Sequence, residues 1–159
     1  MLRISKLTDY GTVVLACLAS PPGRRHTATE VAERTRLGLA TVSKLLKSFQ
    51  RAGLVTSARG AHGGYELARP ARQISAASII DAIEGPVAIT ECSSDHSACG
   101  IETVCSTGGS WQRINDAIRR SLDGISLAQL SGQEAVAVWR PELAGAVRRA
   151  GAPRTGGRA

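Results

Sequence analysis

A capping signal, a tight turn, a second amphipathic helix and a glycine-rich hairpin follow one another between residues 27 and 68, and that order restricts the fold more than any other feature. Thr27-Ala28-Thr29-Glu30 is a capping box: the Thr27 hydroxyl accepts from the Glu30 amide and the Glu30 carboxylate reaches back. It starts a short helix through Thr35. A turn at Leu37-Gly38 follows, then a helix from about Ala40 to Arg51, with Gly53 at its C-terminal end. Leu39, Val42, Leu45, Leu46 and Phe49 form its expected buried stripe; Thr41, Ser43, Lys44, Lys47 and Ser48 remain outward. Leu54–Ala58 and Tyr65–Ala68 are β-prone and flank the tip Arg59-Gly60-Ala61-His62-Gly63-Gly64. Before them, Leu7, Tyr10, Val14, Cys17 and Leu18 fall at helical spacing, giving a first helix from about Leu7 to Ala19 that Pro21-Pro22-Gly23 stops. The expected class is mainly α with a small β-hairpin wing: a winged helix-turn-helix head over residues 1–70.

Charge supports that reading. Residues 1–70 carry 11 Lys/Arg against 4 Asp/Glu, whereas residues 71–130 carry 4 against 7. A concentrated cationic head suits phosphate neutralisation, although a solvated basic face has the same composition. Aromatics make up 3% of the chain, too few for a reader that stacks single-stranded bases. The expected partner is double-stranded DNA. Lys44, Lys47, Thr41 and Ser43 would face the major groove, and Arg59 at the hairpin tip the minor groove. Arg24, Arg25, Arg34 and Arg36 would add backbone contacts. The hairpin lacks the Gly-Lys-Ser/Thr ending of a phosphate-binding loop.

Past the head, Ser75 caps a connecting helix (71–89) with Ile79, Ile80 and Ile83 apolar, which Gly85-Pro86 ends. A Gly/Ser-rich stretch over residues 90–110 then holds Cys92, Cys99 and Cys105. Three clustered thiols cannot all pair internally, so a metal or cluster in a reducing, cytoplasmic setting fits better than a disulfide framework. Cys17 stands apart and reads as a small buried hydrophobe. The segment Val14-Leu15-Ala16-Cys17 resembles a lipoprotein box, but Thr8, Asp9 and Gly11 break the apolar run before it. No stretch is long and apolar enough to span a membrane.

The last clear helix is expected from about Ser110 to Gly124. Trp111, Ile114, Ile118, Leu122 and Ile125 step by three, four, four and three, a coiled-coil-like seam that predicts a homodimer through residues 110–130. Asp116 and Arg120 have i,i+4 spacing. Glu134–Arg149 forms a weak amphipathic pattern around Val138 and Trp139, and residues 131–159 are expected to be a largely disordered tail. Beyond the cysteines nothing suggests an enzyme or a small-molecule substrate: there are three histidines and no recognisable Cys/His arrangement.

Several segments carry a family resemblance: Leu2-Arg3-Ile4-Ser5-Lys6-Leu7-Thr8-Asp9-Tyr10, Arg51-Ala52-Gly53-Leu54-Val55, Arg59-Gly60 with Gly63-Gly64-Tyr65, Ile79-Ile80-Asp81-Ala82-Ile83-Glu84-Gly85-Pro86, and the cysteines through to Trp111. In this order and spacing they resemble the Rrf-two superfamily of bacterial repressors, which includes IscR and NsrR, and within it most closely the regulator of the SUF iron–sulfur assembly system. The resemblance covers roughly residues 1–130. It implies a homodimer on a pseudo-palindromic operator, control of cluster-assembly or stress genes, and a cluster, most often [2Fe–2S], held by Cys92, Cys99 and Cys105. One position departs from the pattern: the cluster-assembly repressors carry histidine three residues after the third cysteine, where this chain has Gly108. The fourth ligand is then left to His96, to Glu91, Asp95 or Glu102, or to Asp9 across the dimer, with Asp9 and His96 foremost. Zinc on three cysteines and His96, or a thiol–disulfide switch, is the alternative to a cluster.

Overall fold

The computed structural model describes residues 4–21, 23–60, 62–93, 100 and 105–135. Helix α1 (Lys6–Leu18) starts at Ser5, whose hydroxyl accepts from the Thr8 amide. Helix α2 (Ala28–Thr35) carries both bonds of the Thr27/Glu30 capping box. Helix α3 (Leu39–Arg51) follows after a turn in which Arg36 adopts the left-handed conformation at φ 56°. Strands β1 (Val55–Ala58) and β2 (Gly64–Leu67) pair antiparallel, with Val55 opposite Leu67 and Ala58 opposite Gly64. Helix α4 (Ala76–Glu84) is capped by Ser75, α5 spans Gly108–Asp123, and α6 spans Leu127–Leu130. This is the mainly helical, hairpin-winged fold expected.

The core is aliphatic, as the low aromatic content requires. Val14, Leu15 and Leu18 of α1, Val31 of α2, and Val42, Leu45, Leu46 and Phe49 of α3 meet Leu54, Ile74, Ile79 and Leu127 with almost no exposure. Gly11 lets the helices close on one another: a Cβ there would sit 2.5 Å from Ile83 Cδ1 and 2.8 Å from Phe49 Cζ. The start of α1 is tied to the end of α4. The Glu84 carboxylate accepts from the Ser5 amide at 3.1 Å and from the Thr8 hydroxyl. Those bonds hold the Glu84 carboxyl below the usual carboxylate range, the Thr8 hydroxyl contributing most.

Four expectations change. Leu39 belongs to no buried stripe; it is 49% exposed, because the first residue of α3 projects past the core. Leu37, in the turn before it, packs on the core instead. On α5 the ion pairs run from Arg119 to Asp81 (2.7 Å) and to Asp123 (4.0 Å) rather than between Asp116 and Arg120, because α4 offers a carboxylate across the helix contact. The span 110–130 is two helices, with Ile125 in the turn between them. Helix α6 has its own capping box, Ser126 with Gln129, and buries Leu127 against the head, where Leu127 N donates to Ile74 O (2.8 Å). Residues 131–135 also fold back: Gln133 N donates to Ala128 O (2.9 Å) and Glu134 pairs with Arg72 (3.4 Å). The pattern around Val138 and Trp139 and the rest of the tail lie outside the described residues.

Candidate nucleic-acid interface and cysteine loop

Helix α3 buries one side and exposes the other. Val42, Leu45, Leu46 and Phe49 anchor it, while Lys44 and Lys47 are exposed and Thr41 and Ser43 half-exposed. Two elements fix its orientation: the α2–α3 turn, and the hydrogen bond from Gln50 Nε2 to Ser57 Oγ on β1 (2.9 Å). Arg59 and His62 are exposed at the hairpin tip, on the same hairpin that Gln50 braces. Three of the four arginines expected on phosphate have internal partners. Arg24 pairs with Glu30 (3.1 Å), Arg25 with Glu66 (2.9 Å), and Arg34 Nη2 donates to Ser20 O (2.8 Å). The first two pairs are exposed and contribute little to stability.

His26 has a structural role that periodicity does not reveal. It is 1% exposed, and its backbone forms a two-bond bridge to the wing: His26 N to Tyr65 O (2.9 Å) and Tyr65 N to His26 O (2.8 Å). Gly64, at φ +144°, makes room; a Cβ there would lie 2.8 Å from the His26 carbonyl oxygen. The Arg34 guanidinium lies 3.4 Å from His26 Nδ1. Burial first, then the charges of Arg34 and Arg24, lower the His26 pKa, against a smaller opposing effect of Glu30. The folded protein therefore resists protonating this ring, whereas the unfolded chain takes up the proton near pH ~6.5. Stability is full above that value and falls as pH drops below it toward the folded pKa. Thermal melts should show a midpoint declining between pH 7 and 5.5, with a flatter dependence in His26→Gln. An equal slope in both proteins would place the titrating group elsewhere.

The cysteine segment is held at both ends by α5. Asn115 is the only residue of α5 that is buried, at 7% exposure. Its Oδ1 accepts from Ile89 N (3.2 Å) and its Nδ2 donates to Val87 O (3.1 Å). This clamps the chain leaving α4 just before the Glu91–Ser93 turn that contains Cys92, and that turn packs on α5. Ser93 N closes the turn on Thr90 O (3.0 Å). At the other end Cys105 is half-buried, its Sγ 3.4 Å from Thr107 Oγ1. A Cβ at Gly108 would stand 3.8 Å from the same sulfur, so the first turn of α5 leaves space beside the thiol. Cys99, His96, Asp95, Glu102 and the Cys92 side chain lie outside what is described, and among the described residues no three metal-ligating side chains come together. Asp9 is exposed in the first turn of α1. Cys17 is half-buried against the core, and burial raises its thiol pKa, which keeps it protonated.

Along α5, Trp111 and Ile114 are 44% and 46% exposed, and Ile118 and Leu122 are half-buried. No described helix is long and apolar enough to cross a membrane.

A helix-turn-helix with a braced glycine hairpin and a polar, lysine-bearing outer face defines a winged-helix DNA-binding transcriptional regulator. The chain belongs to the Rrf2 family: that family's model, described as an iron-dependent transcriptional regulator, matches residues 4–133. The chain is 30% identical over 130 residues to Protein rrf2 of Nitratidesulfovibrio vulgaris, covering 81% of this chain and 87% of that protein. It is similar to the solved structure of CymR, the global cysteine regulator of B. subtilis, at TM-score 0.64 and 32% identity over 84% of this chain and 99% of that one. It is also similar to T. potens IscR, at TM-score 0.61 and 31% identity over 86% and 93%.

Proposed function

We propose that this regulator is a homodimeric, iron–sulfur-sensing repressor of cluster-assembly or related stress genes, acting on a pseudo-palindromic operator. The observation that carries the reading is the cysteine segment: three thiols within fourteen residues, entered through the Asn115 clamp and left at the start of the exposed α5 stripe. The donor set fits the group, since soft thiolates are the usual ligands of iron–sulfur clusters. Cys92, Cys99 and Cys105 would hold it, and when bound it supplies an iron centre sensitive to oxidants. Gly108 leaves the fourth position to a non-cysteine group, Asp9 of the partner subunit or His96. Asn115 holds the entry to the segment on α5, the Arg119–Asp81 pair ties α5 to α4, and the Glu84 bonds to Ser5 and Thr8 tie α4 to the start of α1 in the head. The head reads DNA through Thr41, Ser43, Lys44 and Lys47 on α3 and Arg59 on the wing. The Trp111–Ile125 stripe is the dimer seam.

Anaerobic purification with iron and sulfide analysis and visible spectroscopy tests this. Serine at Cys92, Cys99 or Cys105 should abolish or strongly alter the absorption, and serine at Cys17 should leave it intact. A second reading, a zinc site or thiol–disulfide switch, is favoured by the likeness to CymR, a cysteine regulator whose Staphylococcus aureus relative is solved in an oxidised form. A colourless protein containing zinc, or no metal, would replace the first reading with the second.

A further inference from the structure

The exposed Leu39 stands outside the core cluster of the folded chain. It opens α3, is 49% exposed, and is followed by the exposed Ala40. Leu39 and Ala40 sit at i and i+1 of a face that continues with Ser43, Lys44 and Lys47 at i+4, i+5 and i+8. One apolar patch thus leads an otherwise polar surface, at the helix end that enters the groove first in a helix-turn-helix. The residue before it is Gly38, which makes no side-chain cap bond. The first-turn amides are therefore left for an outside acceptor such as a phosphate oxygen, which would hold this end of the helix against the duplex.

The major groove offers an apolar side chain one feature, the C5-methyl group of thymine. We infer that Leu39 is a specificity-determining residue, packing on a thymine methyl in each operator half-site, while Ser43, Lys44 and Lys47 engage polar edges and phosphates. This rests on the reading of α3 as the recognition helix. It accounts for why a leucine stands where the core does not use it: the apolar surface left in water by the free protein is covered on DNA. It also divides the face by chemistry, with methyl contact at the N-terminal end and cationic contact further along.

The test needs an operator and a single-atom-group change in the DNA. The full-length protein, prepared anaerobically with iron and separately stripped of metal, is used to enrich a binding sequence from random duplexes. Each thymine of that sequence is then replaced by deoxyuridine, which lacks only the methyl group. Wild type should lose roughly three- to tenfold in affinity at one thymine position per half-site, the size expected from uncovering one methyl. Leu39→Ala should bind the deoxyuridine and thymidine duplexes alike. Indifference of wild type to every deoxyuridine overturns the inference and leaves the DNA reading standing, and needs no variant to observe. An equal loss in wild type and Leu39→Ala assigns the methyl to another residue and also overturns it. Failure to enrich any sequence in either metal state removes the recognition-helix reading together with the inference.

Discussion

Ile118→Asp is expected to convert the protein to a monomer and to lower affinity for a two-half-site operator by about 10²- to 10⁴-fold, the range lost when paired binding modules act singly. Ile118 sits at the centre of the α5 stripe, half-buried, between the 46%-exposed Ile114 and the half-buried Leu122. A carboxylate there costs little in an isolated chain, because water still reaches it. In a seam it would be desolvated without a partner, at several kcal/mol in each copy. The fold should therefore survive while the assembly does not. Sedimentation together with circular dichroism separates those outcomes. A dimer that persists with unchanged affinity would move the interface off α5. A stripe with this exposure is itself informative, since contiguous apolar surface on a helix is normally covered.

Local chemistry made most of the head readable. Helices α1 to α4 follow from apolar spacing plus named stops and starts: Thr27/Glu30 for α2, Gly53 after α3, Ser75 for α4. These are interactions between residues within one turn, so sequence alone displays them. Helix α6 obeys the same rule, and its box Ser126-Leu127-Ala128-Gln129 was available to reading. What spacing cannot supply is where an element ends relative to the core. Leu39 fits the helical stripe by phase and leaves it by position. His26 lies in an irregular segment with no period, and its burial depends on Tyr65 and Gly64, far along the chain. Arg119 reaches Asp81 across the α4–α5 contact as well as Asp123 on its own helix, and the first of these pairs is not visible from spacing along α5. The candidate site divides the same way. Its cysteines are visible as residue types, whereas Asn115, which holds the Val87–Ile89 backbone leading toward them, falls between two stripe residues and looks like an ordinary helix-surface amide.

Asn115 carries the second large expectation. Its amide satisfies two backbone groups at once, and both belong to the strand of chain leading into the cysteine turn. Asn115→Leu keeps the branching at Cγ and the number of side-chain heavy atoms, though it is bulkier, and removes both bonds, leaving the Ile89 N–H and Val87 C=O without partners. An orphaned backbone group costs about 1–3 kcal/mol where water cannot replace the partner. Here the segment has an alternative, which is to lift off α5 and hydrate. The expected result is local rather than global loss: the Ile89 amide should lose its protection from hydrogen exchange while amides in α1 and α3 keep theirs. Asn115→Asp separates the two bonds, since a carboxylate still accepts from Ile89 N but cannot donate to Val87 O, and it should fall between wild type and Asn115→Leu. If the cysteine segment holds a cluster, iron should leave Asn115→Leu faster than wild type when a chelator is added, with DNA binding by the metal-free forms alike. An Ile89 amide that stays protected in Asn115→Leu would show that the turn is held by its packing on α5 and not by this side chain.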